Sequence, residues 1–136
     1  MSDVKIAYLV QRLPYKSENP KLAATHAMAY QTVEILLEDG QTVTPSLCFV
    51  GEGVLNCLKD QKAMETYGIT STEMHLKSCL LVDMDVYACK EDLDKYGISE
   101  DRLIDAEDMG ADKKMQIVPF VKIQELMETS NHIMFF

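Results

Sequence analysis

No C-x-x-C pair occurs among the four cysteines of this 136-residue sequence, and no histidine stands at metal-ligand spacing from any of them. The common zinc patterns and the dithiol redox motif are thereby excluded. Neither a metal nor an organic cofactor is expected. Positive charge is scarce: 13 Lys and Arg face 22 Asp and Glu, giving a net charge of -9. Such a surface repels phosphate backbones and anionic headgroups, so the sequence predicts no nucleic-acid partner and no membrane partner. Long apolar runs are also missing. The opening stretch MSDVKIAYLVQ is too short for a membrane span or a signal h-region and reads as a first strand of a cytoplasmic protein. In that reducing setting Cys48, Cys57, Cys79 and Cys89 are expected as free thiols. There is no internal repeat and no low-complexity segment.

What is present suffices for one domain with a sizeable core, since 47% of the residues are hydrophobic. Short apolar runs predict strands at 3–10, 42–50, 85–89, 116–121 and 132–136. Pro45 and Pro119 mark edge positions or the start of a strand. Helices are expected over 20–38, from Val54 to Met64, from Ser71 to Leu81, from Lys90 to Tyr96, and through Ile123, Leu126 and Met127. Asn19 is a candidate cap for the first, Thr70-x-x-Glu73 a capping box for the third, and Gly40 and Gly97 the closing glycines of the first and fourth. On the first helix Leu22, His26, Ala29, Tyr30, Val33, Leu36 and Leu37 share a face expected to be buried. A smaller patch, Ala24, Met28 and Ile35, lies opposite and suggests a subunit contact.

Strands alternating with helices at these lengths predict an α/β fold: three layers, a mostly parallel sheet of about five strands, and helices on both faces. Sites in such sheets lie beyond the carboxyl ends of the strands. That draws attention to loops 11–20, 51–53 and 89–90.

Cys89 stands at the last of these, where a strand gives way to a helix. Unpaired N–H groups at a helix start favour a thiolate, the form that attacks a sulfur donor or holds a persulfide. Lys90 acts in the same sense, whereas Glu91, Asp92 and Asp94 oppose it. A small hydrophobe that ends a strand is the simpler alternative. Cys48, inside the apolar run Leu47-Cys48-Phe49, reads as core, and Cys57 and Cys79 as helix packing. His26 reads as a hydrogen-bonded core residue, with support of a thiolate as the second option; His75 and His132 read as structural. The turn Gly51-Glu52-Gly53 lacks the rest of a phosphate-binding loop and serves a tight strand-to-helix turn.

In order and spacing these segments resemble the DsrE/DsrF family of small sulfur-handling proteins, which includes TusC and TusD. PYKSENP at 14–20 is similar to the loop after the family's first strand, where Tyr15 and Ser17 fall at its motif positions. CFVGEGV at 48–54 is similar to the strand and turn before its second helix. VYACKEDLDKYGISEDRLID places Cys89 eight residues before Gly97, as the active cysteine of DsrE and TusD stands before a glycine. KIQELMETSNHIMFF resembles the final helix and strand, in a form nearer the DsrF/TusC branch. The resemblance implies a compact DsrE/F-like, flavodoxin-like fold and assembly into trimers or hexamers, alone or with homologous subunits. It also implies sulfur relay through a Cys89 persulfide, with donor and acceptor proteins as partners. Loop 14–19 and the Gly51–Gly53 turn would wall the site.

The leading expectation is therefore a cytoplasmic sulfur carrier that uses Cys89. The rivals are a non-catalytic assembly subunit of a DsrEFH/TusBCD-type complex and a regulatory module that binds a small anion or nucleotide.

Overall fold

A computed structural model describes residues 3–32 and 42–136. Five parallel strands form one sheet: β1 (Asp3–Val10), β2 (Thr42–Phe49), β3 (Asp85–Cys89), β4 (Gln116–Val118) and β5 (His132–Phe135), in the order β4-β3-β2-β1-β5. Helices α1 (Asn19–Thr32), α2 (Ala63–Tyr67), α3 (Thr72–Leu81), α4 (Lys90–Lys95) and α5 (Phe120–Thr129) connect them, with a 3-10 helix over Gly51–Cys57. The expected α/β class and strand count hold, and every strand pairing is parallel. None of the described helices is long and apolar enough to cross a membrane.

Apolar runs of strand length became strands where expected, because both faces of a parallel sheet are covered. All of β1 from Ala7 to Val10 is buried, as is β2 from Pro45 to Phe49. Pro45 is tolerated in this central strand because β2 pairs with β3 only from Ser46 onward, so its missing N–H leaves no gap on that side. Pro119 does not lie within a strand. The edge strand β4 stops at Val118, and Pro119 becomes the N-cap of α5.

Strands β1 to β4 step in one direction across the sheet, while the return from β4 to β5 runs back past all of them. Right-handed crossovers then put α1 and α3 on one face and α5 on the other. Register decides which side chains share a face. Tyr8, Leu47 and Val86 lie in one row, Leu9, Cys48 and Tyr87 in the next, and the second row shares its face with Cys89.

Three expected features changed. Helix α1 buries Pro20, Ala23, Ala24 and Ala27, while Leu22, His26 and Ala29 point outward. The alanines let the helix lie close to the sheet and to α3, where Cys79 Sγ donates to the Ala24 carbonyl at 3.8 Å. Ala24 is thus an internal contact, and Met28 is partly buried against the core. Val33, Ile35, Leu36, Leu37 and Gly40 lie outside the described residues. The helix expected over Val54–Met64 is instead the 3-10 helix, a bridge from Leu58 to Leu103, and the short α2. Helix α3 is capped by Ser71, whose Oγ accepts from Met74 N at 3.2 Å. Glu73, expected to close a box with Thr70, instead accepts the N–H groups of Asp60 and Gln61 at 3.1 and 2.9 Å.

The turn after β2 packs against the end of β1. Val50 N donates to the Val10 carbonyl at 3.1 Å, and a Cβ on Gly53 would lie 2.0 Å from that same oxygen. The backbone there must shift to admit even a methyl group. Gly53→Ala is expected to lower stability by roughly 1–3 kcal/mol or more. Urea unfolding measures this, and an unchanged midpoint would contradict the close approach.

Candidate functional site

Cys89 ends β3 and caps α4, and its side chain is 1% exposed. Val86 to Cys89 is an apolar run that the sheet buries, while the charged stretch after it turns outward as a helix. The thiol therefore sits where buried strand meets solvated helix, on the sheet face covered by α5. It donates to Glu91 Oε1 at 3.9 Å. The same carboxylate accepts the Phe120 N–H through both oxygens, at 3.0 and 3.2 Å. Glu91 thus ties the thiol to the start of α5. Asp92 stands on the other side, where its Oδ2 accepts the Gly51 N–H at 2.7 Å.

Burial pushes the Cys89 pKa up to about 11. The Asp92 backbone N–H works against this by bonding the sulfur, but the carboxylates of Asp92 and Glu91 add to the rise. A six-residue helix carries little dipole to offset them. The opposing charges read from the sequence therefore prevail, and the thiol is protonated at neutral pH in this conformation.

The other thiols are buried more uniformly. Burial raises Cys48 and Cys79 to about 12 and Cys57 higher still. Cys48 lies in the core of β2, Cys57 at the end of the 3-10 helix and Cys79 in α3 against α1. All four cysteines are free.

The remaining candidates do not converge on Cys89. Lys90 Nζ pairs with Asp94 Oδ2 at 2.8 Å, on the solvent side of α4. Tyr15 Oη donates to Gln61 Oε1 and accepts from Thr72 N at 3.0 Å. Ser17 Oγ accepts the Asn19 N–H at 3.0 Å, so serine, not Asn19, serves the start of α1. Gly51 N is engaged by Asp92, and Gly53 N donates to the Val50 carbonyl at 2.9 Å. His26 is exposed, and its Nδ1 lies 2.6 Å from Tyr8 Oη. Burial, then the neighbouring Tyr30, raises Tyr8 to about 12, so the phenol keeps its proton in this contact. Tyr8 belongs to the face opposite Cys89, which places His26 across the sheet from the thiol. The sequence offered no sign of the Phe120 N–H, because only the fold brings the start of α5 to residue 91. No group of three or more His, Cys, Asp or Glu among the described residues is arranged to hold a metal ion.

A family model described as DsrE/DsrF-like matches residues 4–136. The chain belongs to the DsrE/DsrF-like family. Among solved structures it is similar to the crystal structure of the ychN protein from E. coli, with a TM-score of 0.73 and 20% identity. That match covers 98% of this chain and 99% of the other. At such identity the likeness speaks for the fold. No curated protein matches the chain.

Two outcomes follow from the thiol environment. A thiol with a raised native pKa keeps its proton after the unfolded chain has lost it. Its stabilising contribution is whole below the unfolded value of about 8.5 and is lost as pH climbs toward the native value. Thermal melts should stay level up to about pH 8 and decline above about pH 9 from the four thiols; a melting temperature that climbs toward pH 10 contradicts their burial. Separately, Asp92→Asn keeps an acceptor for Gly51 N–H and removes a negative charge beside the sulfur. Iodoacetamide should then label Cys89 about 3–10-fold faster at mildly alkaline pH, with a smaller gain for Glu91→Gln. Equal rates in all three proteins would remove the carboxylates from the account.

Proposed function

We propose that this protein carries sulfane sulfur on Cys89 as one step of a cytoplasmic sulfur relay. Membership of the DsrE/DsrF-like family supports a sulfur-relay role. The observation that carries the residue assignment is the position of Cys89. It alone of the four cysteines closes a strand at the carboxyl edge of the sheet, between the starts of two helices. In the loading step the Cys89 thiolate attacks the outer sulfur of a donor persulfide. The donor S–S bond breaks, a new S–S bond forms on Cys89, and the donor leaves as a thiolate. Transfer onward repeats this exchange with an acceptor thiol, so no net oxidation occurs.

The buried, protonated thiol defines what loading requires. Glu91 must release the sulfur, and a donor must bring its own base or positive charge. Donor and acceptor proteins are the natural partners, and an assembly of three or six copies, or of homologous subunits, would present several such thiols. One observation favours a second reading, a non-catalytic assembly subunit: burial and two carboxylates hold Cys89 near 11, far from the working range of a reactive thiol.

Incubation with polysulfide followed by intact-mass measurement separates the two. The carrier gains one sulfur atom, a reductant removes it, and Cys89→Ser does not gain it while melting within a few degrees of the parent. Loading should be faster at pH 8.5 than at pH 6.5, because the thiolate fraction grows roughly tenfold per pH unit below the pKa. Sulfur on Cys48 instead, or none on the wild-type chain, favours the assembly subunit.

A further inference from the structure

Away from Cys89, the loop after β1 and the turn after the 3-10 helix enclose a groove of about 480 Å³. Leu13, Pro14, Leu55 and Leu58 form its apolar floor, and Lys16, Lys59 and Lys62 stand on its rim. Two features set this groove apart from ordinary surface.

The first is charge. In a chain of net charge -9, three lysines gather around one apolar depression with a single lining carboxylate, Asp60. The ion pairs among the described residues are Lys77–Asp108, Lys90–Asp94, Lys113–Asp85 and Lys114–Glu107. None of them involves a rim lysine. The neighbouring Glu73 is already engaged, accepting from the backbone of Asp60 and Gln61. A fourth lysine, Lys21, lies over the Tyr15 ring at 5.5 Å.

The second is built strain. Three non-glycine residues among those described adopt left-handed backbone, and two of them, Tyr15 (φ 66°) and Asp60 (φ 62°), line this groove. Aspartate adopts it readily, but an aromatic residue such as Tyr15 rarely holds it unless its surroundings fix it, and such residues gather at ligand sites. Here the surroundings do fix it. Tyr15 Oη is held by Gln61 and Thr72, and Gln61 Nε2 donates to the carbonyls of Asn56 and Leu58 at 3.0 and 2.9 Å. The walls are preformed.

We infer that this groove binds a small organic anion with an apolar body, such as a carboxylate on a short aliphatic or aromatic frame. An apolar floor with a few charged groups at the rim is the usual make-up of a small-molecule site, and the volume lies in the usual range. The rim attracts the anionic head, and the floor takes the apolar body. The site is separate from the thiol and rests on none of its chemistry.

The test titrates octanoate and, in parallel, octan-1-ol into the 15N-labelled full chain. Octanoate should shift the amide signals of residues 13–16 and 55–62. The alcohol, equal in length but neutral, should bind at least ~10-fold more weakly, as should octanoate to the double variant Lys59→Glu, Lys62→Glu. Both lysines are exposed, so that variant should keep the wild-type melting temperature. In Cys89→Ser, octanoate binding should be unchanged. Equal affinity for acid and alcohol, shifts confined to other residues, or no shift at millimolar octanoate overturns the site. A sedimentation change in the double variant without octanoate binding assigns the groove to a contact between copies, and overturns it too.

Discussion

The approach of Gly53 to the Val10 carbonyl is the constraint on which the strand-end edge that carries Cys89 depends. A side chain at residue 53 would occupy the space of that oxygen, which already accepts from Val50 N. Only glycine lets the chain leave β2, turn tightly and lay the Gly51–Cys57 3-10 helix across the ends of the strands. Everything near that edge hangs from this helix. Gly51 N, at its start, holds Asp92 beside the thiol. Asn56, fully buried, donates to the Arg12 and Gly53 carbonyls and so ties the loop after β1 to it. Its last residue, Cys57, accepts from Ile104 N at 2.8 Å, and Leu55 and Leu58 floor the groove.

Charge is distributed unevenly over that edge, and the two regions are tuned in opposite senses. Around Cys89 the carboxylates of Glu91 and Asp92 join burial in keeping the sulfur neutral. A protonated, shielded thiol resists adventitious oxidation, because oxidants and alkylating agents attack the thiolate. Under the proposed carrier role, that cover would keep the sulfur quiet until a donor displaces it. Around the groove the excess is positive, on preformed walls. Lys16, Lys59 and Lys62 stand outside every ion pair among the described residues, which sets this depression apart in an otherwise acidic chain.

The strands were legible because a parallel sheet buries both faces and leaves an uninterrupted apolar run. Asp3–Val10 and Asp85–Cys89 appear with the boundaries the sequence suggests. Gly97, in left-handed backbone, closes α4 as its position implied. Helix orientation was less legible. Hydrophobicity ranked Leu22 and Tyr30 above alanine, yet close packing against the sheet and α3 favoured Ala23, Ala24 and Ala27. The stretch after Val54 has helical composition, but the Leu58 bridge to Leu103 and the left-handed Asp60 interrupt it. Both depend on residues far along the chain.

The site divides along the same line. Local sequence determined the strand-to-helix junction that holds Cys89 and the acidic residues that oppose its ionisation, since residues 89–92 are neighbours in the chain. Order and spacing of motifs determined the family. Tertiary structure alone decided that Glu91 would reach Phe120, that His26 would lie across the sheet from the thiol, and that Lys16 would meet Lys59 and Lys62 at one groove. The physical reason is range: burial runs, caps and adjacent charges act over a few residues, whereas sheet register and crossover handedness join segments tens of residues apart.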